Sequence, residues 1–459
     1  MTKVLLLNPP SKKVACRDYY CGHIAKGDYS WPPYDLLVLS GLFPKENLEV
    51  LDCIVEKKDR ESVFKYLSSK KIDFIIGLFS SVTYSEDEAF YSQLSKEVDA
   101  KIYLSGDFPK AHYKKLCTSL PIKGVVLDFV ENNLKEVFLD NKYTELVNIY
   151  HPEESHLLSL KNSQNFTYGI PKHELFPLNK YKLAQGIFRP LTVIGTDFSC
   201  PYSCTFCFFE KISYKKRDLQ EFQEELKVIN NLGIKEIMLM DASFGVNKNR
   251  ALKICEMIKV YCPKISWICE MRVSDVNVEL IKAMKEAGCH TIMLGIETQN
   301  QKSLDSIEKH ITTEQTKNAL IVCKNFSIRT LGHFILGLPG DKIQDMKETI
   351  EFSLNSSLSF ASYNIATPMV NTTMRDEAEA NQGLKTDIYN MNLSDGKPLW
   401  THTVSADELY ALKKQAYRRF YLRPSYIIRQ LLSIRSFNQL QILVREGIYV
   451  VLKNIQVVK

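Results

Sequence analysis

The apolar positions of this chain fall into short runs separated by amphipathic stretches, and that rhythm occurs twice. In the first 130 residues the runs are Val4–Leu7, Leu48–Asp52, Ile72–Gly77, Lys101–Leu104 and Gly124–Leu127. Each has the length and continuity of a buried strand. Between them lie segments with helical spacing: Tyr34–Phe43, opened by Trp31-Pro32-Pro33, then Ser62–Leu67 and a stretch near Ala89–Val98. Strands separated by helices predict a parallel, doubly wound sheet. From Leu191 the rhythm resumes. Expected strands Thr192–Gly195, Glu236–Met240, Ser266–Glu270, Thr291–Gly295, Gly332–Leu336 and Ala361–Ala366 alternate with helices near 219–232, 248–261, 278–287, 313–325 and 343–354. Polar residues gather just past the strand ends, where α/β folds place their chemistry.

The remaining segments read differently. Residues from about 131 to 188 have weak periodicity, with Pro171, Pro177 and Pro190 punctuating the exit, and are expected to connect the two units. The loop Ser11–Ser30 is long and carries Cys16, Cys21, His23 and several tyrosines. Loops of that length inside compact domains tend to serve a site, so it is expected either to cap a ligand or to be a packing insert. Past about 385 the chain changes character, opening with Lys397-Pro-Leu-Trp400. Helices are expected near 406–422, 425–433 and 437–452. The last is rich in Leu, Ile and Val, which suits packing beneath the second unit or contact with a membrane surface.

Composition narrows the class. The chain has 459 residues, 45% hydrophobic and 24% charged, as in ordinary globular proteins. A net charge of +6 is too mild to imply nucleic acid, and no separate RNA-binding module is visible. The basic stretches Lys215-Lys216-Arg217 and Arg418-Arg419 read as solvated faces. The apolar run before Asn8-Pro9-Pro10 is too short for a signal peptide. No uncharged stretch approaches the roughly 18 residues that span a bilayer. Twelve cysteines without a framework spacing point to a reducing cytoplasm. Cys255, Cys262 and Cys269 straddle a helix, a turn and a strand, and read as small buried apolar groups.

Three other cysteines carry chemistry. Cys200-Pro-Tyr-Ser-Cys204-Thr-Phe-Cys207 follows directly on the apolar run Leu191–Asp197. Closely spaced thiols on one loop suit a metal or an iron–sulfur cluster. A cubane cluster with three protein ligands keeps one iron open for a small molecule. A structural zinc site wants four ligands, and no second Cys-x-x-Cys pair lies nearby. A non-catalytic zinc scaffold remains the alternative from the residues alone.

This loop resembles the signature of the radical SAM superfamily, Cys-x-x-x-Cys-x-aromatic-Cys, which Cys200, Cys204, Phe206 and Cys207 match position by position. The resemblance implies a partial (β/α)6 barrel over 189–385. It implies a 4Fe–4S cluster on the three cysteines, S-adenosylmethionine on the open iron, and a 5'-deoxyadenosyl radical that abstracts hydrogen. It also implies cofactor roles: Asp241 and Ala242 near the methionine amine, Glu270 and Arg272 at its carboxylate or ribose, Glu297 toward the same cofactor. Gly337 and Pro339 fall within the adenine-contact stretch Gly332–Gly340. Asn364, Thr367, Asn371 and Thr372 are expected to face substrate, although Pro368-Met-Val-Asn371-Thr372 departs from the family's Pro-x-Pro-Gly-Thr.

Residues 1–140 resemble the cobalamin-binding, Rossmann-like domain of the cobalamin-dependent class of that superfamily. The matching pieces are Leu5-Leu-Leu-Asn8-Pro9-Pro10, Pro32-Pro33 and Gly77-Leu-Phe-Ser80-Ser81. By that resemblance 141–188 is a linker and 386–459 a mainly helical tail, in which Arg418-Arg-Phe-Tyr-Leu-Arg423-Pro424 resembles a stretch in class members that modify lipids and tetrapyrroles. The implied cobalamin contacts are Asn8, Pro9, Pro10, Ser80, Ser81, Ser105 and Gly106. Two departures matter: Ser105-Gly106 replaces a Gly-Gly pair, and Leu127-Asp-Phe-Val-Glu131 replaces Gly-Glu-Gly-Glu. The cobalt-ligating histidine motif is absent, as it often is in this class. Two outcomes follow, cobalamin-dependent methyl transfer or a related step, or a cobalamin-free dehydration, epimerisation or carbon–carbon bond formation. Either would take a small-molecule or lipid-like substrate and an electron donor such as flavodoxin or ferredoxin.

Overall fold

The computed structural model describes residues 2–130 except 18, 20 and 21, then 134–140, 149–152, 165–381 except 370, and 404–432, with 434, 440 and 444. Cys21, Lys397–Trp400 and most of the helix expected over 437–452 lie outside the described residues.

The first apolar rhythm forms a six-stranded sheet: β1 (Val4–Asn8), β2 (Leu48–Asp52), β3 (Phe74–Leu78), β4 (Lys101–Ser105), β5 (Gly124–Val126) and β6 (Ile149–Tyr150). Its order is β2-β1-β3-β4-β5-β6. All neighbours are parallel except β6, which runs antiparallel to β5. The order reverses between β1 and β3, so a crevice opens at their carboxyl ends, the usual ligand position of such sheets. β6 comes from the stretch read as a connector. A two-residue edge strand has no periodicity to detect, so sequence could not show it.

The second rhythm forms β7 (Leu191–Ile194), β8 (Glu236–Leu239), β9 (Ser266–Arg272), β10 (Cys289–Glu297), β11 (Arg329–Leu336) and β12 (Phe360–Ile365). They pair in chain order, all parallel, and the first and last do not meet. The result is an open, partial barrel. Alternation along the strands divides its two faces. Ile237, Leu239, Trp267, Ile292 and Leu294 pack outward on the helices through Phe222, Leu226, Ile254, Leu280 and Ile350. Met238, Met240, Ile268, Met293, Leu331 and Phe360 face the other way and share one apolar core with Val4, Leu6, Tyr34, Leu37 and Tyr103 of the first unit. The two units are thus joined by core. The free edge at β12 is covered by the helix Ala406–Tyr421. The Ala361 and Tyr363 N–H groups donate to the Tyr421 and Tyr417 hydroxyls at 3.1 Å each. This removes a bare sheet edge.

One expectation is corrected here, the solvated face at Lys215-Lys216-Arg217. Lys215 and Arg217 are buried, at 6% and 1% exposure. They lie on a short strand, Lys215–Arg217, between Asp197–Phe198 and Asn165–Phe166, and strand alternation turns both inward while Lys216 is less buried. Lys215 pairs with Asp128 at 2.8 Å. Arg217 pairs with Glu221 at 2.9 Å and with Glu225, donates to the Gly195 carbonyl at 3.2 Å, and stacks 4.0 Å from the Tyr168 ring centre. The stretch 165–188, expected as a linker, is bound into this same assembly, with His173 bridging Glu225 and Thr192 at 2.8 Å each. Arg418 and Arg419 are exposed, as expected.

Candidate functional site

The cysteine loop leaves the end of β7 through Asp197–Phe198 and a left-handed Ser199 at φ 66°. Asp241, just past β8, fixes that exit. Its carboxylate accepts from the Thr196 N–H at 2.6 Å, the Asp197 N–H at 3.1 Å and the Thr196 hydroxyl. Burial, and next Asp197, push Asp241 up to about 7. The loop itself is pinned at several points. Ser199 Oγ donates to the Ile212 carbonyl at 2.8 Å, the Thr205 N–H to the Ile307 carbonyl at 3.1 Å, and the Cys207 N–H to the Cys204 carbonyl at 2.9 Å.

Cys200, Cys204 and Cys207 all line one cavity of about 810 Å3. Burial raises the Cys200 thiol and pushes Cys207 up to about 12, with the neighbouring cysteines adding to both. Bare thiolates are costly there, and bound iron would reverse that cost. Among the described residues, no three His, Cys, Asp or Glu side chains gather as around a single ion. Three thiols on one loop facing one cavity suit a cluster, in which each of three irons takes its own thiolate.

Cationic groups surround the thiols. Arg272, at the end of β9, approaches Cys204 Sγ at 3.5 Å and stacks 4.1 Å from the Tyr202 ring centre. Its Nη2 is buried without a partner among the described residues. Arg272 is held by its own N–H donating to Ser243 Oγ at 3.0 Å; Ser243 donates to Asp275 at 3.3 Å, and Tyr202 donates to Asp275 at 3.1 Å. This chain ties the cysteine loop to the ends of β8 and β9. Glu297 ends β10 at φ 63° and pairs with Lys309 at 2.6 Å. Burial opposes the Lys309 charge, but Glu297 and Cys204 outweigh it and hold the ammonium above the ordinary lysine range. Its Nζ lies 5.7 Å from the Phe206 ring centre. Lys309 was invisible in the sequence, since it follows Glu297 by twelve residues in a turn with no motif.

A Cβ at Gly295 would lie 2.8 Å from both Glu297 Oε1 and Lys309 Nζ. Gly295→Ala is therefore expected to force this ion pair apart. Both contacts are the far ends of flexible side chains, which can swing aside, so the cost is expected at the low end of overpacking, about 1 kcal/mol, and differential scanning calorimetry of the wild type and variant measures it.

The structure gathers most of the expected S-adenosylmethionine residues. Phe206, Asp241, Ala242, Glu270, Arg272 and Glu297 line the cavity, with Asn364 and Thr367 from the end of β12. Gly337 and Pro339 do not; Leu338 between them does, with Ile335. Gly337, at φ 79°, makes the turn that presents Leu338, whose N–H donates to Asp341 at 3.0 Å. Asn371 and Thr372 also lie off the cavity wall. Thr372 caps the helix Thr373–Ala380 by accepting from the Arg375 N–H at 3.2 Å.

The expected cobalamin contacts are placed differently. Asn8, Ser80, Ser81 and Ser105 are buried, and neither they nor Pro9, Pro10 and Gly106 line the cavity. The long loop folds back over them. Arg17 enters the β1–β3 crevice and donates to Asn8 at 3.0 Å, the Pro9 carbonyl at 2.8 Å, the Pro10 carbonyl at 3.3 Å and Thr83 at 3.0 Å, while pairing with Asp87 at 2.8 Å. Ser81 donates to Asp107, and Ser105 to Asp35 at 3.1 Å. The first unit's share of the cavity wall is Gly22, His23, Lys26, Tyr29, Trp31 and Asp107. The strand-end rule located the right edge of the sheet, but could not show that its polar groups are spent on the chain's own loop.

A family model described as the Radical SAM superfamily matches residues 198–353, which include all three cysteines. The chain carries a radical SAM domain. That domain works with a 4Fe–4S cluster and S-adenosylmethionine, and the donor set just described suits both. Among curated proteins, the chain is similar to an uncharacterized methyltransferase of Pyrococcus horikoshii, 29% identical over 95% of this chain and 96% of that protein. It is also similar to the anaerobic magnesium-protoporphyrin IX monomethyl ester cyclase of Cereibacter sphaeroides, 30% identical over 49% of this chain and 37% of the cyclase. Among solved structures, the radical S-adenosylmethionine methyltransferase TsrM of Kitasatospora setae, with cobalamin and a [4Fe-4S] cluster bound, has TM-score 0.69 at 15% identity over 99% of this chain and 100% of that one. The cobalamin-dependent radical enzyme OxsB has TM-score 0.70 at 16% identity, covering 98% of this chain and 72% of OxsB. At such identities the likeness is one of fold: the radical SAM domain here sits behind the same kind of N-terminal unit.

Proposed function

We propose that this radical SAM enzyme functionalises an unactivated carbon of a small, largely apolar molecule, with cobalamin-dependent methyl transfer as its reaction. The observation that carries this reading is the single cavity walled by the cysteine loop and barrel strand ends on one side and by the N-terminal unit on the other. A near-full-length relative named as a methyltransferase, and two cobalamin-binding proteins of the same two-unit fold, support it.

Cys200, Cys204 and Cys207 would hold the cluster, which supplies the electron that cleaves S-adenosylmethionine. Arg272 would offer its Nη2, unpartnered among the described residues, to the methionine carboxylate. The Glu297–Lys309 pair and Asp241 hold the strand ends in place. Leu338 and Ile335 present apolar surface to the adenine. The apolar walls exclude water, protecting a reactive carbon radical. A flavodoxin or ferredoxin would deliver the electron, and the oxygen-labile cluster fits a reducing cytoplasm. No helix among the described residues is long and apolar enough to cross a membrane.

A cobalamin-free reaction is the second reading, favoured by Arg17 in the β1–β3 crevice. Anaerobic reconstitution with iron, sulfide and hydroxocobalamin, followed by desalting, separates the two. Retained corrin absorbance at near one equivalent is the expected result. Iron and 5'-deoxyadenosine without retained corrin would establish the second reading instead.

A further inference from the structure

The cavity holds a second polar centre, away from the thiols. Lys26 comes from the long loop of the N-terminal unit and reaches the end of β12. Its ammonium donates to Asn364 Oδ1 at 2.6 Å, Ser362 Oγ at 2.9 Å and the Tyr363 carbonyl at 3.5 Å. All three acceptors are neutral. Among the described residues no carboxylate pairs with Lys26; the nearest in sequence, Asp28, is spent on Lys182 at 2.7 Å. Beside it, on β11, His333 lines the same cavity, and its Nε2 is buried with no partner among the described residues. Burial, with Lys26 and Lys309 nearby, pushes this imidazole down to about 3, so it is neutral at working pH and able to give one N–H.

The surroundings are otherwise apolar. Met238, Met240, Met293, Leu331 and Phe360 form the barrel wall, and Ile427 and Leu431 of the helix Pro424–Leu432 extend it. Lys26 is half-buried, and its three neutral acceptors satisfy its N–H groups without neutralising its charge. The cavity wall also carries Asp107, Asp241, Glu270 and Glu297: Glu297 pairs with Lys309, Asp241 accepts from the Thr196 and Asp197 N–H groups, Asp107 accepts from Ser81, and among the described residues none of the four pairs with Lys26. The missing counter-charge is therefore expected to arrive with the ligand.

We propose that Lys26 and His333 form a carboxylate-binding site, and that the substrate is an apolar molecule carrying an acid group that this pair anchors. The anchor fixes one end of the substrate, so that a carbon elsewhere on its apolar body faces the thiol end of the cavity. The loop that bears Lys26 thereby acts as a substrate-binding element. This rests on the reading of the cavity as the substrate site, and it adds the chemical class. A carboxylate on an apolar body could belong to a fatty acyl chain or to a tetrapyrrole propionate, and the two arms of the test distinguish them.

The test is equilibrium binding to the anaerobically reconstituted protein, followed by fluorescence. It uses cis-parinaric acid against its methyl ester, and protoporphyrin IX against its dimethyl ester. At least one acid is expected to bind about tenfold or more tightly than its ester, the equivalent of one charge-assisted contact. Lys26→Met should erase that preference, Lys26→Arg should restore most of it, and His333→Leu should reduce it. The ester's affinity should be unchanged in all three, which also reports a correctly folded cavity. Acids that bind no better than their esters, or a preference that survives Lys26→Met, would overturn the proposal. The assay needs no S-adenosylmethionine turnover. Separate measurement of 5'-deoxyadenosine therefore tells failure of this anchor from failure of the enzymatic reading.

Discussion

Serine at Cys204 is expected to strip the cluster and reduce S-adenosylmethionine cleavage to background. Cys204 is buried between the Arg272 guanidinium and the rest of the loop, and its backbone carbonyl accepts from Cys207. The substitution removes one thiolate while leaving loop geometry nearly intact, because an oxygen replaces a sulfur and no hydrogen bond to the backbone is lost. Iron and sulfide analysis after reconstitution should fall well below four per chain, and the broad visible absorption of the cluster should vanish. Serine at Cys269, buried on the far face of the sheet against Cys289, should leave both readouts at wild-type values. Retention of full iron content by Cys204→Ser would remove the basis for the functional reading.

The largest loss of stability is expected at Arg217→Met. Its guanidinium is fully buried against Glu225 and Glu221, stacks on Tyr168, and donates to the carbonyl of Gly195 at the end of β7. Burial works against the Arg217 charge, and the carboxylates, Glu225 first, outweigh it. Methionine preserves bulk but leaves buried Glu225 with His173 as its remaining ion-pair partner among the described residues. Removing one partner of a buried ion pair costs about 3–5 kcal/mol. Urea unfolding monitored by tryptophan fluorescence measures it. A companion variant, Glu225→Gln with Arg217→Met, should recover part of the loss, because the stranded charge goes with its partner. Equal loss in the single and double variants would show that packing rather than charge dominates.

The radical SAM half was largely legible. Its strands are continuous apolar runs, and the cysteine triplet needs no tertiary information because all three thiols lie within eight residues. The strand-end residues Asp241, Glu270, Arg272 and Glu297 were found because a parallel strand's carboxyl end is a local feature. Their roles were not. Asp241 spends its carboxylate on the Thr196 and Asp197 backbone, a contact across 45 and 44 residues that no spacing reveals. Lys309 escaped notice, and Lys26 and His333 were not singled out within the long loop and the stretch Gly332–Gly340, because lone polar residues in a loop or strand carry no periodic signal. Arg17 reached the β1–β3 crevice by a fold-back of the loop after β1, which composition could only mark as long.

The sequence by itself showed most of the longer parallel strands and their helices, and it singled out the cysteine loop, since each is written in local periodicity or in a short motif. Only the tertiary structure decided which polar groups face the cavity and which are consumed by the chain itself. That choice depends on where long loops come to rest and on which buried charge finds which partner. Those pairings are made between residues far apart in the chain, where sequence spacing exerts no geometric constraint.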